Sequence, residues 1–251
     1  MVLVSTHNRF MRGDGTVIHE NEGVYYGTFH GSSGTVWVVS RGSKENLLHI
    51  DVQTGEVLDR KPVPSLFTHD AIRHNDKVYI ADCGHGRVVV LDYPSMETHK
   101  IYSIFTVRNH INTLCYHENI LWCLLHNLGK SQLVGIDPET GEKLKVYNDV
   151  GSESHGIVPW CGGFLVLSSL EGRLLHVTDL ATRIMFHEPG RFLKGLCRVG
   201  NIVYFGSAPP MTRANRGDPR LQCQLVGVSL ETGILVSREK LETKGLLNNL
   251  I

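Results

Sequence analysis

The chain has 251 residues, of which 41% are hydrophobic, and its 25 basic residues balance 25 acidic ones. A net charge of zero excludes the basic footprint of a nucleic-acid binder or an anionic-membrane binder, so we expect neither partner. No apolar run reaches transmembrane length, and residues 1–10 have neither the charge nor the apolar core of a signal peptide. The six cysteines show no disulfide-framework or zinc-knuckle spacing, which predicts free thiols and a cytoplasmic protein.

A turn signature recurs along the chain. It is clearest as Asp51-Val-Gln-Thr-Gly55, Asp137-Pro-Glu-Thr-Gly141 and Ser229-Leu-Glu-Thr-Gly233, with shorter copies at Asp92 and Asp179. Aspartate bonds its own backbone and glycine supplies the positive φ that closes a hairpin. Successive copies begin roughly 40 to 50 residues apart with no helical pattern between them, which is typical of propeller blades.

Two apolar runs lead to each turn. In chain order, the earlier runs cover residues 36–39, 78–80, 120–125, 164–167 and 202–205, and the later runs cover 47–50, 88–91, 133–136, 174–177 and 225–228. A further strand-like run with polar residues at its start precedes each pair. Each unit is therefore predicted to be three or four antiparallel strands, and the chain contains five such units.

The two ends of the chain supply a sixth unit. Residues 244–251 are predicted as its innermost strand, and residues 1–6, 8–13 and 16–20 as its other strands. Pairing of the terminal strands closes the ring and removes exposed sheet edges. The predicted fold is an all-β, six-bladed β-propeller that forms one domain over residues 1–251, with an open β-sandwich as the alternative.

Five segments resemble one another and the blade starts of a known family. They are Thr68-His69-Asp70-Ala71-Ile72, His110-Ile111-Asn112-Thr113-Leu114, Ser154-His155-Gly156-Ile157, Phe192-Leu193-Lys194-Gly195-Leu196 and Leu247-Asn248-Asn249-Leu250. From Phe67 to its end, the chain resembles a six-bladed propeller family known only as a domain of unknown function, some members of which occur beside tetratricopeptide repeats in bacterial proteins. It is more distantly similar to the NHL and lactonase propellers. The resemblance implies the fold and implies no reaction.

Polar residues at the blade starts are predicted to meet at one mouth of the central channel, because every innermost strand begins at the same end. The predicted catalytic residues are His69, Asp70, His110, His155 and Lys194. The predicted substrate-binding residues are Asn112, Asn248 and Asn249, together with His85 and His126 in loops between second and third strands that open on the same face.

Two metal chemistries compete at this mouth. If His69, His110 and His155 point inward together, three imidazoles leave a fourth position for water, as in catalytic zinc sites. If Asp70 and the asparagines face the axis instead, the oxygen set suits calcium. The same aspartate and asparagines also fit a purely structural role, in which they bond neighbouring backbone amides.

The leading functional hypothesis is a metal- or histidine-assisted lyase or hydrolase that acts on a small polar molecule, with Lys194 positioning an anion. The alternative is a non-catalytic propeller that binds a peptide or protein partner. Residues 209–222 favour this alternative, because they predict a long loop on one face that carries Arg213, Arg216 and Arg220.

Overall fold

The computed structural model describes residues 1–251 and folds them into six four-stranded antiparallel sheets, the blades of a propeller. In chain order the strands are β1 (Leu3–Thr6), β2 (Arg9–Arg12), β3 (Val17–Glu20), β4 (Val24–His30), β5 (Thr35–Arg41), β6 (Glu45–Asp51), β7 (Val57–Pro62), β8 (Thr68–His74), β9 (Lys77–Asp82), β10 (Arg87–Asp92), β11 (Glu97–Tyr102), β12 (Ile111–His117), β13 (Ile120–Leu125), β14 (Gln132–Ile136), β15 (Lys143–Tyr147), β16 (His155–Trp160), β17 (Gly163–Ser168), β18 (Arg173–Val177), β19 (Thr182–His187), β20 (Phe192–Val199), β21 (Ile202–Ala208), β22 (Cys223–Ser229), β23 (Leu235–Leu241) and β24 (Leu247–Leu250). Single 3₁₀ turns cover Val107–Asn109 and Arg213–Asn215.

Blades one to five each contain four consecutive strands, beginning with β4, β8, β12, β16 and β20 at the axis. Blade six has the order β24-β1-β2-β3, so that its innermost strand comes from the end of the chain. Val4 pairs with Leu250 in this blade. The predicted six-bladed fold and its closure by the terminal strands are confirmed.

The turn signature forms the hairpin between the third and fourth strands of a blade. Asp51 Oδ1 accepts hydrogen bonds from the amides of Gln53 and Thr54, both at 2.8 Å, and Gly55 has φ of +75°. Asp137 and Gly141 repeat this arrangement between β14 and β15. The signature is therefore an Asx-type turn that a left-handed glycine completes, as the sequence predicts.

The hydrophobic core lies between adjacent blades. One cluster joins Trp37 and Val39 of blade one to Ile80 and Val89 of blade two, and similar clusters fill the other interfaces. Burial of each large apolar side chain contributes about 1.5 to 3 kcal/mol, and each blade obtains this stabilisation from its two neighbours.

A β-bulge interrupts every innermost strand near its start. The register shifts between Tyr25 and Thr28, Thr68 and Asp70, Ile111 and Thr113, His155 and Ile157, and Lys194 and Leu196, and opposite Ser5 and Thr6 in β24. A bulge inserts one residue and re-aims the side chains around it. The alternation of side chains therefore changes within each strand start, where the predicted site residues lie.

Neither 3₁₀ turn has the length or hydropathy of a membrane span. All six cysteines are free thiols, as predicted. The cytoplasmic location stays a prediction.

Candidate functional site: an axial cavity and a mouth pocket

Two adjoining cavities occupy the predicted end of the channel, and Tyr26 and His69 line both. The axial cavity has a volume of about 10 Å³ and the mouth pocket about 370 Å³. The axial cavity brings together seven predicted site residues: His69, Asp70, Asn112, His155, Lys194, Asn248 and Asn249. Its volume holds about one water molecule. The predicted small-molecule substrate has no room there.

Asp70 is the hub of the hydrogen bonds around the axial cavity. Its Oδ1 accepts from the amide of Ala71 and from Asn249 Nδ2, and its Oδ2 accepts from the amide of Leu114, all at 2.9 Å. These contacts join blade two to blades three and six. Burial raises the pKa of the Asp70 carboxyl to about 7. The contacts of Asp70 are those of a structural group.

Gly27 allows Asn249 to reach Asp70 across blade one. A Cβ atom at Gly27 would overlap the backbone of Asp70 and Ala71. Only a residue without a side chain leaves β4 this close to β8.

The other axial side chains also connect neighbouring blades. Asn112 Nδ2 donates to the carbonyl of Ser154 at 3.0 Å, and Asn248 Nδ2 donates to the carbonyl of Tyr25 at 2.8 Å. Lys194 Nζ donates to Asn248 Oδ1 at 2.9 Å and lies 5.1 Å from the centre of the Tyr26 ring. Burial, with Arg216 and Arg41 nearby, lowers the pKa of Lys194 well below its usual value. Lys194 therefore lines the axial cavity. It does not line the mouth pocket, although the sequence predicts that it positions an anion at the mouth.

The calcium hypothesis does not match this network. Both carboxylate oxygens of Asp70 accept from N–H donors, Asn112 Oδ1 accepts from the Thr113 hydroxyl, and Asn249 Oδ1 accepts from the amide of Leu250. Calcium needs six to eight free oxygen ligands. The structure favours the alternative in which the aspartate and asparagines bond neighbouring groups.

Four histidines form an arc from blade two to blade four. His69 Nε2 lies 3.1 Å from His110 Nε2, and the ring centres of His110, His126 and His155 follow at 4.9 Å and 5.2 Å. Burial lowers the pKa of His110 to about 4 and of His126 to about 3, and it lowers the pKa values of His69 and His155 well below normal. The arc is neutral at pH 7.

Arg41 sets the proton positions in the first part of this arc. A guanidinium only donates, so the contact of 3.3 Å from Arg41 Nη1 makes His69 Nδ1 an acceptor and places the proton of neutral His69 on Nε2. His69 then donates to His110 Nε2, and His110 Nδ1–H donates to Cys83 Sγ at 3.0 Å. In this series of three hydrogen bonds, each donor lies on the side of Arg41 and each acceptor on the side of the Cys83 thiol.

The predicted zinc set of His69, His110 and His155 is not assembled. Nδ1 of His155 lies 2.8 Å from Ser169 Oγ. The residues whose ligand atoms lie within 4.8 Å of one another are His69, Cys83 and His110. Zinc needs a lone pair on each ligand atom, and Arg41 leaves a proton on His69 Nε2 where that lone pair is needed.

The two loop histidines occupy different positions. His126 is buried, its Nδ1 accepts from the amide of Leu128, and its Nε2 lies 3.3 Å from Glu153 Oε2 without hydrogen-bond geometry. His85 is half exposed and lies 2.9 Å from Asp82 Oδ2; neither loop histidine lines a cavity, but the ring of His126 contacts those of His110 and His155. The structure therefore separates His85 from the other predicted residues.

Three arginines line the mouth pocket. Arg41 is the last residue of strand β5 of blade one, and Arg213 and Arg216 come from the long loop of blade five. The carboxyl group that contacts Arg41 is that of Glu45, at 3.5 Å, and neither Arg213 nor Arg216 forms an ion pair. Arg216 Nε is buried without a hydrogen-bond partner. Burial and the neighbouring Arg213 lower the pKa of Arg216.

Residues 209–222 hold Arg213 and Arg216 at the mouth pocket. The carbonyl of Arg216 accepts from the amide of Leu246 at 2.8 Å, and the carbonyl of Leu221 accepts from the amide of Gly245 at 3.3 Å. The Arg216 guanidinium lies 5.1 Å from the centre of the Phe192 ring. Arg220, in contrast, is paired with Asp218 at 2.8 Å and does not line the pocket.

An apolar rim lies beside the pocket, on blades two to four. We give this name to five exposed side chains in the blade starts and second-to-third strand loops of this face: Leu66, Phe67, Val107, Leu128 and Leu170, which are 43%, 52%, 58%, 54% and 62% exposed. Exposed apolar patches are typical of protein-binding surfaces.

The sequence prediction missed His7, Tyr26 and Arg41, which line the mouth pocket. The rule that selected His85 and His126 also applies to His7 and Arg41, because both lie at a loop between second and third strands. Applied to all six blades, that rule finds them.

Comparisons with solved structures agree on the fold. A chain of a nidogen/laminin complex matches with a TM-score of 0.78 and 7% identity, over 99% of this chain and 96% of that one. Hydrazine synthase from Kuenenia stuttgartiensis matches with a TM-score of 0.59 and 11% identity, over 82% and 62% of the two chains. BamB from Moraxella catarrhalis matches with a TM-score of 0.51 and 16% identity, over 99% and 84%.

No protein-family model matches the chain, and no curated protein matches it by sequence. The sheet topology and the similar solved structures show the six-bladed propeller fold that the family resemblance implies. Membership of that family stays a prediction. Identities this low support the fold alone.

Proposed function

We propose that the chain is a binding module whose mouth face takes an acidic segment of a protein partner, with one anionic group in the mouth pocket. The observation that carries this proposal is the pair of arginines, Arg213 and Arg216, which line the pocket without an acidic partner; Arg213 is exposed, and Arg216 is half-buried with its Nε unpartnered. Burying an unpaired charge is costly, and an incoming anion removes that cost.

The surroundings of the pocket suit a peptide. The mouth pocket has a volume of about 370 Å³, which accommodates one side chain, and the apolar rim extends the contact area beyond it. Anchors in a pocket from which the surrounding contacts exclude water dominate the energy of protein interfaces. A nidogen/laminin complex supplies a structurally similar chain, so this fold occurs in a protein complex.

A randomised peptide display library tests this proposal and does not require an identified partner. Selection on the wild-type protein is expected to enrich peptides in which acidic residues stand beside apolar ones. The enriched peptides are then measured against the double variant R213E/R216E, for which we expect at least about a hundredfold weaker binding. The control is R220E, which reverses one charge in the same loop outside the pocket. Selection of peptides without acidic residues, or equal binding to the double variant, would refute the proposal.

Metal-assisted lyase or hydrolase chemistry is a second candidate, favoured by the cluster of His69, Cys83 and His110 in the wall of the pocket. Coordination there requires Arg41 to release His69, because the lone pair of Nε2 must become available. Elemental analysis of purified protein and zinc titration of wild type and H110A test it. A stoichiometric metal that H110A loses would support this candidate, and the absence of binding would remove it.

A further inference from the structure

We infer that the anionic group in the mouth pocket is a phosphate monoester carried by the partner segment, an inference that rests on the proposed function. The lining of the pocket contains Arg41, Arg213 and Arg216 and no aspartate or glutamate. Glu45 offsets one of these charges through Arg41. About two positive charges remain, and a phosphate monoester carries about −1.5 to −2 at pH 7.

The carboxylate of Glu45 does not serve Arg213 or Arg216. Its two oxygens contact the Arg41 guanidinium and accept hydrogen bonds from the amide and hydroxyl of Thr68, the first residue of β8. One incoming carboxylate brings a single charge and two coplanar oxygens, which match one guanidinium. A tetrahedral phosphate presents three acceptor oxygens and matches several arginines at once.

The histidines of the wall do not compete for this role. His69 and His110 use their N–H groups in the series of side-chain hydrogen bonds that links Arg41 to Cys83. His7 Nδ1 lies 3.3 Å from the carbonyl of Leu246. The charged donors of the pocket are therefore the guanidinium N–H groups. Recognition of phosphorylated segments by clusters of arginine is an established mode of peptide binding.

Aromatic contacts hold one arginine in place before the ligand arrives. The Arg41 guanidinium lies 4.5 Å from the centre of the Tyr26 ring and 5.1 Å from that of Phe67. An arginine that is already positioned loses less side-chain entropy on binding. Phe67 and Val107 line the same pocket with exposed side chains, which offer apolar contact to residues that flank the phosphorylated one.

Blocked amino acids serve as probes for the test. Binding of N-acetyl-phosphoserine methylamide and of N-acetyl-glutamate methylamide is measured by NMR titration with the wild type, R213Q/R216Q and the control R220Q. We expect the phosphoserine probe to bind wild type and R220Q at least about tenfold more tightly than the glutamate probe. In R213Q/R216Q we expect this preference to vanish. Inorganic phosphate should compete with the phosphoserine probe, because both present the same oxygens.

Each contrary outcome has a defined meaning. Equal binding of the two probes overturns the phosphate inference and leaves the proposed function standing. A phosphate preference that survives in R213Q/R216Q overturns it as well, because the arginines then do not read the phosphate. If neither probe binds while the selected acidic peptides do, the inference fails alone. If those peptides also fail, both proposals fall. Tighter binding to vesicles of anionic phospholipid than to the phosphoserine probe would assign a membrane ligand and overturn the inference.

Discussion

The axial cavity and the mouth pocket share Tyr26 and His69, and they differ in how their polar groups are satisfied. Around the axial cavity, Asp70 and the asparagines meet donors and acceptors from neighbouring blades. Around the mouth pocket, Arg213 and Arg216 have no acidic partner. Hydrogen bonds completed within the fold stabilise it, whereas groups left without partners are available to a ligand. Convergence of polar residues on one channel is therefore insufficient to identify a binding site.

The largest effect that this contrast predicts is at Asp70. In D70A, the amides of Ala71 and Leu114 and the side chain of Asn249 lose their acceptor in a buried place. We expect the free energy of unfolding in urea to fall by about 4 kcal/mol. D70N should recover little of it, because its NH₂ group faces other donors. A loss below about 1 kcal/mol in D70A would show that the axial network does not stabilise the ring.

Gly27 tests the close approach of blades one and two. In G27A the added methyl group overlaps the backbone of Asp70 and Ala71, and no side-chain rotation relieves a backbone clash. We expect a loss of about 3 kcal/mol in thermal or urea unfolding. G34A is a control, since Gly34 has open space around it; its φ of +76° adds a smaller strain penalty of its own. Similar losses in the two variants would contradict the tight contact.

Acidification should weaken the fold through the buried histidines. Their pKa values are lowered in the folded protein, to about 4 for His110 and about 3 for His126. In the unfolded chain a histidine has a pKa of about 6.5, so below that pH the unfolded chain binds more protons than the folded protein. The stability that these histidines contribute is thus complete above about pH 6.5 and is lost as the pH falls toward the folded values, while Asp70, with its raised pKa, contributes with the opposite sign. Between pH 7 and pH 5 we expect a loss of about 2 kcal/mol for each such histidine.

Replacement of His110 identifies its share of that loss. H110N should show a smaller difference between urea unfolding at pH 7 and at pH 5 than the wild type, and H187N, at an exposed position, should match the wild type. A pH dependence that H110N leaves unchanged would mean that His110 does not titrate on unfolding in this range.

The smallest effect should have the opposite sign. In R216M, an apolar side chain of similar length replaces a buried guanidinium that repels Arg213 and whose Nε lacks a partner. We expect the free energy of unfolding to rise by about 0.5 to 1 kcal/mol while binding of acidic peptides is lost. R220M serves as the control in both measurements. Destabilisation by R216M would show that the arginine belongs to the fold and would remove the contrast between the two cavities.

Much of the fold was predictable, and the site only in part. The turn chemistry of Asp51 and Gly55 is local, so its repetition reveals the blades directly. His69 and Asp70 were correctly placed at the channel, because the start of an innermost strand is also a local feature. Their partners were not predictable, since the bulge beside His69 changes which side chains face the axis.

The mouth pocket depends on residues that are far apart in the sequence. Arg41 belongs to blade one and Arg213 to blade five, and the closed ring brings both to the same pocket. Arg213 and Arg220 look alike in the sequence, yet Asp218 pairs with Arg220. Only contacts within the folded loop distinguish the free arginine from the paired one.

The sequence by itself determined the number of blades, their hairpins and the pairing of the two ends, because periodic apolar strands and turn residues act over short distances. The tertiary structure decided which polar groups are satisfied and which remain free. That outcome depends on bulges, on contacts such as Gly27 against Asp70, and on the meeting of blades one and five around one pocket. A charged or polar group is satisfied by the groups that are near it in space. A closed ring brings together residues that are distant in the sequence.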